Sequence, residues 1–221
     1  MARVHPQSLK FLSGLKKNNN KPWFEKNKPL YEEIKNDLTG ISGEVIKEVS
    51  KFDPSVSGLD PKKTVFRIYR DIRFSPDKTP YKTNIGFWMS KGGMKIPSTG
   101  YYVHLQPGEC FLAGGIWMPE ADTLSKIRQE IDYNFKDFKK IVEAPAFKKR
   151  FGKLDTEMKL SRPPKGYEDS NPAIEYLKLK SFTISTSLKD TQVLSPSFVK
   201  DAAKIFKEMN PFIRFLNEAI K

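Results

Sequence analysis

Hydrophobic residues recur at steps of three or four through the first fifty residues, which is the spacing of an amphipathic helix. One apolar stripe covers residues 11–15, and a second covers residues 30–49 after an asparagine-rich turn. Pro29 suits the first turn of the second helix, because an N–H at that position has no partner within a helix. The sequence therefore predicts two N-terminal helices, the second of which begins near Pro29.

The spacing then changes from helical to alternating, which is typical of β-strands. The alternating segments are residues 65–70, 84–90, 101–106, 109–117 and 182–187. Proline and glycine residues separate the first four of them and mark short turns. Neighbouring strands joined by short turns indicate antiparallel pairing.

Helical spacing returns in residues 124–142 and again in residues 198–220. Helices, then strands, then helices is the order of an α+β protein and differs from the alternating order of a parallel sheet. No internal repeat or low-complexity linker divides the chain. We therefore predict a single α+β domain over residues 1–221. It should contain an antiparallel or mixed sheet of about five strands, with the N- and C-terminal helices packed on one face.

The composition is that of a folded, basic protein. Hydrophobic residues make up 38% of the chain and include 16 Phe, which argues against intrinsic disorder. The net charge of +13 favours acidic partners. Cys110 is the only cysteine, so no intrachain disulfide can form, which fits a reducing compartment. Because every apolar run is far shorter than a membrane span, we expect a cytoplasmic protein without a membrane partner.

Positive charge is concentrated in residues 62–95. Nine Lys and Arg residues there are opposed only by Asp71 and Asp77, so this segment carries +7, more than half of the net charge. Arginine offers paired, planar donors to phosphate or carboxylate, and lysine adds a point charge. We predict an anion-binding site formed by Arg67, Arg70, Asp71, Arg73, Lys78, Tyr81 and Lys82.

The arginines of this segment need not share one cleft. In a regular strand Arg67 and Arg70 point to opposite faces, so they converge only if the strand ends or bulges near Arg70. We therefore group Arg70 with Arg73, Lys78 and Lys82 rather than with Arg67. Ion pairs with the two neighbouring acids are the alternative interpretation, although two carboxylates cannot neutralise so many bases.

Candidates for proton transfer lie on a neighbouring predicted strand. His104 is the only histidine within a predicted element, and Tyr102 shares its face, so both are candidates for acid–base chemistry. The alternative is a histidine that only forms structural hydrogen bonds on a half-buried face. We expect the face opposite the helices, beneath a loop of residues 74–82, to present Arg67, Tyr69, Trp88, Tyr102 and His104.

A phosphate- or carboxylate-bearing small molecule is the predicted ligand. Because Tyr69, Phe74, Tyr81, Phe87 and Trp88 lie among the bases, binding of single-stranded nucleic acid by stacking is an alternative. Docking of an acidic protein is another. No cofactor or metal is predicted, since nucleotide-binding and metalloprotease motifs are absent and the chain has two histidines and one cysteine. The reaction and the oligomeric state stay open.

Several stretches resemble the family called domain of unknown function 2461. They are FRIYRDIRFS (residues 66–75), DKTPYKT (77–83), GYYVHLQPG (100–108), GGIW (114–117) with Pro119, the helix at 124–131 with Arg128, and residues 162–166. The resemblance extends over about residues 9–220, and its first string is the most specific. It implies a single-domain protein of roughly this length and places the predicted site residues within what looks like the family's signature. It implies no activity, substrate or cofactor.

Overall fold

Two long helices begin the fold, which a computed structural model describes for residues 3–93, 96 and 98–221. They are α1 (Pro6–Lys17) and α2 (Lys21–Val49). The side chain of Asn20 accepts a hydrogen bond from Trp23 N at 3.0 Å, so this asparagine caps α2. The prediction of a start near Pro29 is wrong, because the helix begins at Lys21, eight residues earlier, where the cap satisfies a first-turn donor, and Pro29 lies inside the helix.

A four-stranded antiparallel sheet follows among the described residues. Its order is β1 (Ile85–Ser90), β2 (Gly100–Leu105), β3 (Cys110–Ile116) and β4 (Phe182–Leu188). A 3-10 turn (Pro54–Val56) and α3 (Pro61–Thr64) precede the sheet. Between β3 and β4 lie α4 (Ala121–Tyr133), α5 (Phe135–Val142), α6 (Pro145–Phe151) and α7 (Ile174–Leu177). Helices α8 (Asp190–Val193) and α9 (Phe198–Ala219) end the fold.

The predicted strand at residues 65–70 forms two isolated bridges instead of a strand. Val65 pairs with Phe87 of β1, and Tyr69 pairs with Tyr81 of the returning chain. Because the segment changes partner halfway, neither pairing is long enough to make a strand. Within the described ranges the sheet has four strands rather than about five. The α+β class and the antiparallel arrangement are confirmed.

The same segment closes a surface loop, residues 71–79, which we call loop 71–79. At its base Lys82 N donates to Ile68 O at 2.7 Å. The Asn19 side chain binds both backbone groups of Tyr81, donating to its oxygen at 2.9 Å and accepting from its nitrogen at 3.1 Å. The amide side chain thus makes the two backbone hydrogen bonds that a neighbouring strand would otherwise make. These bonds tie the loop to the turn between α1 and α2.

Helices α2 and α9 pack against one face of the sheet and against each other, as predicted. Helix α9 carries its apolar stripe at Ala202, Phe206, Met209, Ile213 and Leu216, all of them buried. Alternate strand residues meet these helices, because successive side chains of a strand point to opposite faces. Each fully buried apolar side chain contributes about 2 kcal/mol. We call this the inner face and its reverse the outer face.

A polar cluster lies within this core. The hydroxyl of Tyr101, a residue with no exposed surface, donates to Asp53 Oδ2 at 2.8 Å and accepts from Asn210 Nδ2 at 2.8 Å. The other oxygen of Asp53 accepts from the backbone N–H of Ser55 at 3.1 Å and from its hydroxyl at 2.6 Å. The carboxylate is therefore well supplied with donors although it is almost fully buried.

Helices able to cross a bilayer would need a long apolar stretch. Across the described residues, no helix combines sufficient length with sufficient apolar character. The longest, α2, carries charged residues throughout. Helix α9 likewise alternates its apolar stripe with charged positions.

Candidate functional site

The two predicted arginines next to and within loop 71–79 are paired with acids of that loop. The Arg70 guanidinium contacts the Asp77 carboxylate, and Arg73 donates to both oxygens of Asp71, from Nε at 2.9 Å and Nη2 at 2.6 Å. These bonds lower the pKa of Asp77 to about 2 and hold the pKa of Asp71 below its ordinary value. Because both pairs lie at the surface, they order the loop more than they stabilise the protein.

Lys78 and Tyr81 are also engaged within the fold. Lys78 Nζ donates to a backbone carbonyl of loop 71–79 at 3.0 Å. Tyr81 is buried and stacks on Phe24 of α2, with ring centroids 4.1 Å apart. Tyr69, which was expected on the outer face, packs against the same phenylalanine at 5.8 Å. Both tyrosines therefore contribute to the packing of α2 against this segment rather than to the face that carries Tyr102.

Arg67 and Lys82 form a separate group of positive charge. Burial, followed by the nearby charge of Arg67, lowers the pKa of Lys82. Lys82 Nζ lies 5.3 Å from the centroid of the Phe66 ring, a cation–π distance. Among the residues that the structure describes, neither Arg67 nor Lys82 forms an ion pair or a hydrogen bond through its side chain.

We expected Lys82 to lie near Arg70, but the structure places it near Arg67. The backbone bond between Ile68 and Lys82 places position 82 beside position 67, while Arg70 turns towards Asp77. Lys95, the last base of the segment, lies outside the described residues.

A cavity of about 1130 Å³ lies over the outer face of the sheet. Across its floor Trp88, Tyr102, Ala113 and Ser185 follow one another in the strand register. Neighbouring strands are about 4.8 Å apart, so this row is about 14 Å long, enough for a small ligand. The remaining lining includes Phe66, Lys82, Asn84, Phe111, Trp117, Lys153 and Asp155.

Two positions on the outer face of the sheet require glycine. A Cβ on Gly86 would lie 2.2 Å from the Val103 oxygen and 3.2 Å from the Tyr102 hydroxyl. Gly115 has a φ of 129°, a conformation that favours glycine, and a Cβ there would lie 1.9 Å from the Phe182 oxygen. Neither position accepts a side chain without movement of the backbone, so both glycines keep the strands closely paired.

A directed chain of hydrogen bonds runs from the cavity along the outer face. Because a carboxylate only accepts, the bond from Gln106 Nε2 to Glu109 (2.7 Å) turns the Gln106 oxygen towards His104. His104 Nε2 lies 3.3 Å from that oxygen and so carries a proton, which leaves Nδ1 without one. Tyr102 Oη, 2.9 Å from Nδ1, is then the donor. We call Tyr102, His104, Gln106 and Glu109 the proton chain.

Burial keeps both reactive members of the proton chain uncharged at neutral pH. It raises the pKa of Tyr102 to about 12 and lowers the pKa of His104. The ring of Phe111 stacks on His104 with centroids 4.4 Å apart and fixes its plane. The histidine is thus a neutral acceptor, and the tyrosine oxygen keeps lone pairs for a donor in the cavity.

The tautomer of His104 can be tested directly. We expect its imidazole to titrate with a pKa below the usual value of about 6.5 and to carry its proton on Nε2 at pH 7. Proton–nitrogen correlation spectra of the imidazole measure both properties. In a His5→Gln variant His104 is the only remaining histidine, which assigns the signal. A proton on Nδ1 at pH 7 would contradict the deduced direction of the chain.

Other reactive groups contribute little to this site. The Cys110 thiol donates to Gln106 O at 3.1 Å, and burial raises its pKa to about 11, so it is a poor nucleophile at neutral pH. In the part of the chain that the structure describes, no group of three His, Cys, Asp or Glu side chains could hold a metal ion.

Sequence reasoning missed several lining residues. The hydrophobicity of Phe66 alone predicts a core residue. Its ring nevertheless lines the cavity beside Tyr102, with ring centroids 5.8 Å apart. Lys153 and Asp155 reach the cavity because Asp155 N donates to Thr183 O of β4 at 3.1 Å. That contact joins segments remote in sequence, and no local pattern signals it.

One protein-family model matches this chain. The model of a family described as "Conserved hypothetical protein (DUF2461)" matches residues 7–215. This match confirms the resemblance seen in the sequence. No curated protein and no solved structure matches the chain.

Proposed function

Because the chain belongs to the DUF2461 family of conserved hypothetical proteins, whose description assigns no chemistry, we propose a function from the outer-face cavity itself. The cavity binds a small ligand that carries a carboxylate or phosphate on a flat, apolar body. Lys82, which lines the cavity, and the neighbouring exposed Arg67, which does not, hold the anionic group. The aromatic side chains of the floor and walls contact the body of the ligand.

The observation that carries this proposal is a pair of neighbouring cations, neither of which forms an ion pair among the described residues. The charge of exposed Arg67 lowers the pKa of half-buried Lys82, and it also lowers the pKa of Asp71, whose carboxylate is already paired with Arg73. Two neighbouring like charges disfavour each other until an anion arrives. Arg70 and Arg73 differ in this respect, since each already holds a carboxylate.

The cavity walls favour a flat ligand body. Phe66, Trp88, Tyr102 and Phe111 line the cavity, and aromatic rings gain from stacked or edge-to-face contact with another ring. The volume of about 1130 Å³ is slightly above the usual range of about 300–1,000 Å³ for small-molecule sites, so a small ligand would fill only part of the cavity. The free lone pairs of the Tyr102 oxygen add one acceptor for a donor group on the ligand.

Calorimetric titration with benzoate and phenyl phosphate tests the proposal, with benzamide as the uncharged comparison. We expect both anions to bind and Arg67→Gln and Lys82→Gln each to weaken binding about tenfold, or about 1.4 kcal/mol. Arg73→Gln and Lys78→Gln remove the same charge from loop 71–79 and should change affinity less than twofold. These matched variants separate a local contact from the general effect of net charge.

Two results would overturn this assignment. Equal losses from all four variants would mean that only the overall charge matters. Losses confined to Arg73→Gln and Lys78→Gln would move the anion site to loop 71–79.

Single-stranded nucleic acid is the second candidate, and the tip of loop 71–79 favours it. Phe74 is 94% exposed, and the Arg73 guanidinium lies 5.9 Å from its ring, an arrangement that suits a stacked base beside a phosphate. Tight binding of oligothymidylate, steep loss of affinity with salt and a further loss in Phe74→Ala would support this candidate over the cavity ligand.

A further inference from the structure

We propose that Lys82 is a nucleophile that forms an imine with the carbonyl group of a carboxylate-bearing carbonyl compound, and that the proton chain moves the protons of this step. The inference rests on the proposed function, since it uses the same cavity and narrows the ligand to an oxo acid. Lys82, which lines the cavity, attacks the carbonyl carbon, and the neighbouring exposed Arg67, which is not among the lining residues, holds the adjacent carboxylate.

The position of Lys82 carries the argument. Its Nζ lies over the Phe66 ring at 5.3 Å, and the same ring packs edge-on against Tyr102, with centroids 5.8 Å apart. The amine and the tyrosine therefore flank one aromatic ring within one cavity. Within the described part of the chain no carboxylate is paired with Lys82, so the Phe66 ring is the group that favours its ammonium form.

The surroundings of Lys82 favour a neutral amine. An amine must lose its proton before it can attack, and lysines become nucleophilic when they are desolvated or stand beside another cation. Both conditions apply here, because burial and the charge of Arg67 lower the pKa of Lys82. Lys78, in contrast, is exposed on loop 71–79 and donates to a backbone oxygen.

The proton chain suits the two proton movements of imine formation. When the Lys82 nitrogen bonds to the carbonyl carbon, the carbonyl electron pair moves to oxygen, and the first proton of the nitrogen passes to that oxygen and makes a hydroxyl. Tyr102 Oη then takes the second proton of the nitrogen while passing its own to His104 Nδ1, a neutral acceptor 2.9 Å away. The imidazolium returns this proton through Tyr102 to the hydroxyl, which leaves as water while the nitrogen lone pair forms the C=N bond.

This step is balanced without any co-reactant, since an amine and a carbonyl give an imine and one water. The net charge of the proton chain is the same before and after. Gln106 accepts from His104 Nε2 at 3.3 Å throughout, so the imidazole keeps its orientation while its charge changes. Tyr102 touches the reacting atoms, whereas Gln106 is a positioning residue.

Reductive trapping tests the inference on the intact protein. Glyoxylate with sodium cyanoborohydride at pH 7 converts an imine into a stable secondary amine, which peptide mass mapping assigns to one lysine. We expect Lys82 to be labelled at least about tenfold faster than any other lysine, although many others are more exposed. Tyr102→Phe should slow labelling about 100-fold, the lower range of general acid–base catalysis.

Matched variants show which amine reacts. Lys82→Arg keeps the charge but removes the nucleophile, so labelling of the cavity should be lost. Lys78→Arg makes the same exchange in loop 71–79 and should leave the labelling of Lys82 unchanged. Protection of Lys82 by benzoate in the unmodified protein provides a measurement that needs no variant.

The outcomes separate the two proposals. Labelling spread over lysines according to exposure, with benzoate binding intact, overturns the imine inference and leaves the proposed function standing. Fast labelling of Lys82 that benzoate neither prevents nor slows overturns anion binding in this cavity but keeps the nucleophile. Equal labelling rates in Tyr102→Phe and the unmodified protein overturn the role of the proton chain.

Discussion

Replacement of Gly115 by alanine is expected to lower the free energy of unfolding by about 4 kcal/mol. The φ of 129° at this position costs about 1–3 kcal/mol for a residue with a Cβ. The new Cβ would also lie 1.9 Å from the Phe182 oxygen, and forced overpacking of this kind costs about 1–3 kcal/mol more. Urea unfolding followed by circular dichroism measures the loss.

Gly108 provides the matched control for this substitution. Its φ of 76° is also positive, but a Cβ there would meet nothing within 4 Å. Gly108→Ala should therefore cost only the conformational part, about 1–2 kcal/mol. If the two variants lost equal stability, the close approach of β3 to β4 would not be the cause.

Tyr101→Phe is expected to cost about 3 kcal/mol, because it removes one hydroxyl from the buried polar cluster. Asp53 would lose the donor at 2.8 Å to its carboxylate, and Asn210 would lose its acceptor. A hydrogen bond to a charged group contributes about 1.5–3 kcal/mol, and a buried polar group left without a partner adds about 1–3 kcal/mol. Tyr133→Phe is the control, since that tyrosine is 74% exposed.

The same tyrosine links stability to alkaline pH. Burial raises the pKa of Tyr101 far above its ordinary value of about 10. The folded protein therefore holds this proton more tightly than the unfolded chain. The resulting contribution to the free energy of unfolding is complete below pH 10 and is lost as the pH rises further. In the Tyr101→Phe variant the free energy of unfolding should therefore fall less steeply between pH 10 and 11. An unchanged pH profile would show that other buried tyrosines account for it.

Most of the fold follows from the spacing of apolar residues. Alternation in β1 to β4 and the three- and four-residue steps of α9 each place apolar residues on one face, which is sufficient to predict a sheet covered by terminal helices. The segment at residues 65–70 alternates equally well but does not form a strand. Its pairing changes from β1 to Tyr81, and that exchange depends on contacts across the fold.

The candidate site was partly predictable for the same reason. Tyr102 and His104 are two residues apart on a strand, so the sequence already places them on one face, and their hydrogen bond is a direct consequence. Charge density, however, could not distinguish Arg70 from Lys82. Whether a base pairs with a nearby acid depends on the path of loop 71–79, and hydrophobic spacing contains no information about that path.

The order of strands in the sheet has a consequence for how the molecule assembles. Strands β1, β2 and β3 are consecutive and joined by short connections, whereas helices α4 to α7 separate β4 from them. Bringing β4 to β3 closes a far longer loop, and long-range pairings of this kind form slowly. Trp88 and Tyr102 can therefore meet early in folding, while Ser185 reaches the row only after the intervening helices have been accommodated. The last part of the cavity floor to form is the part built from the remotest stretch of chain.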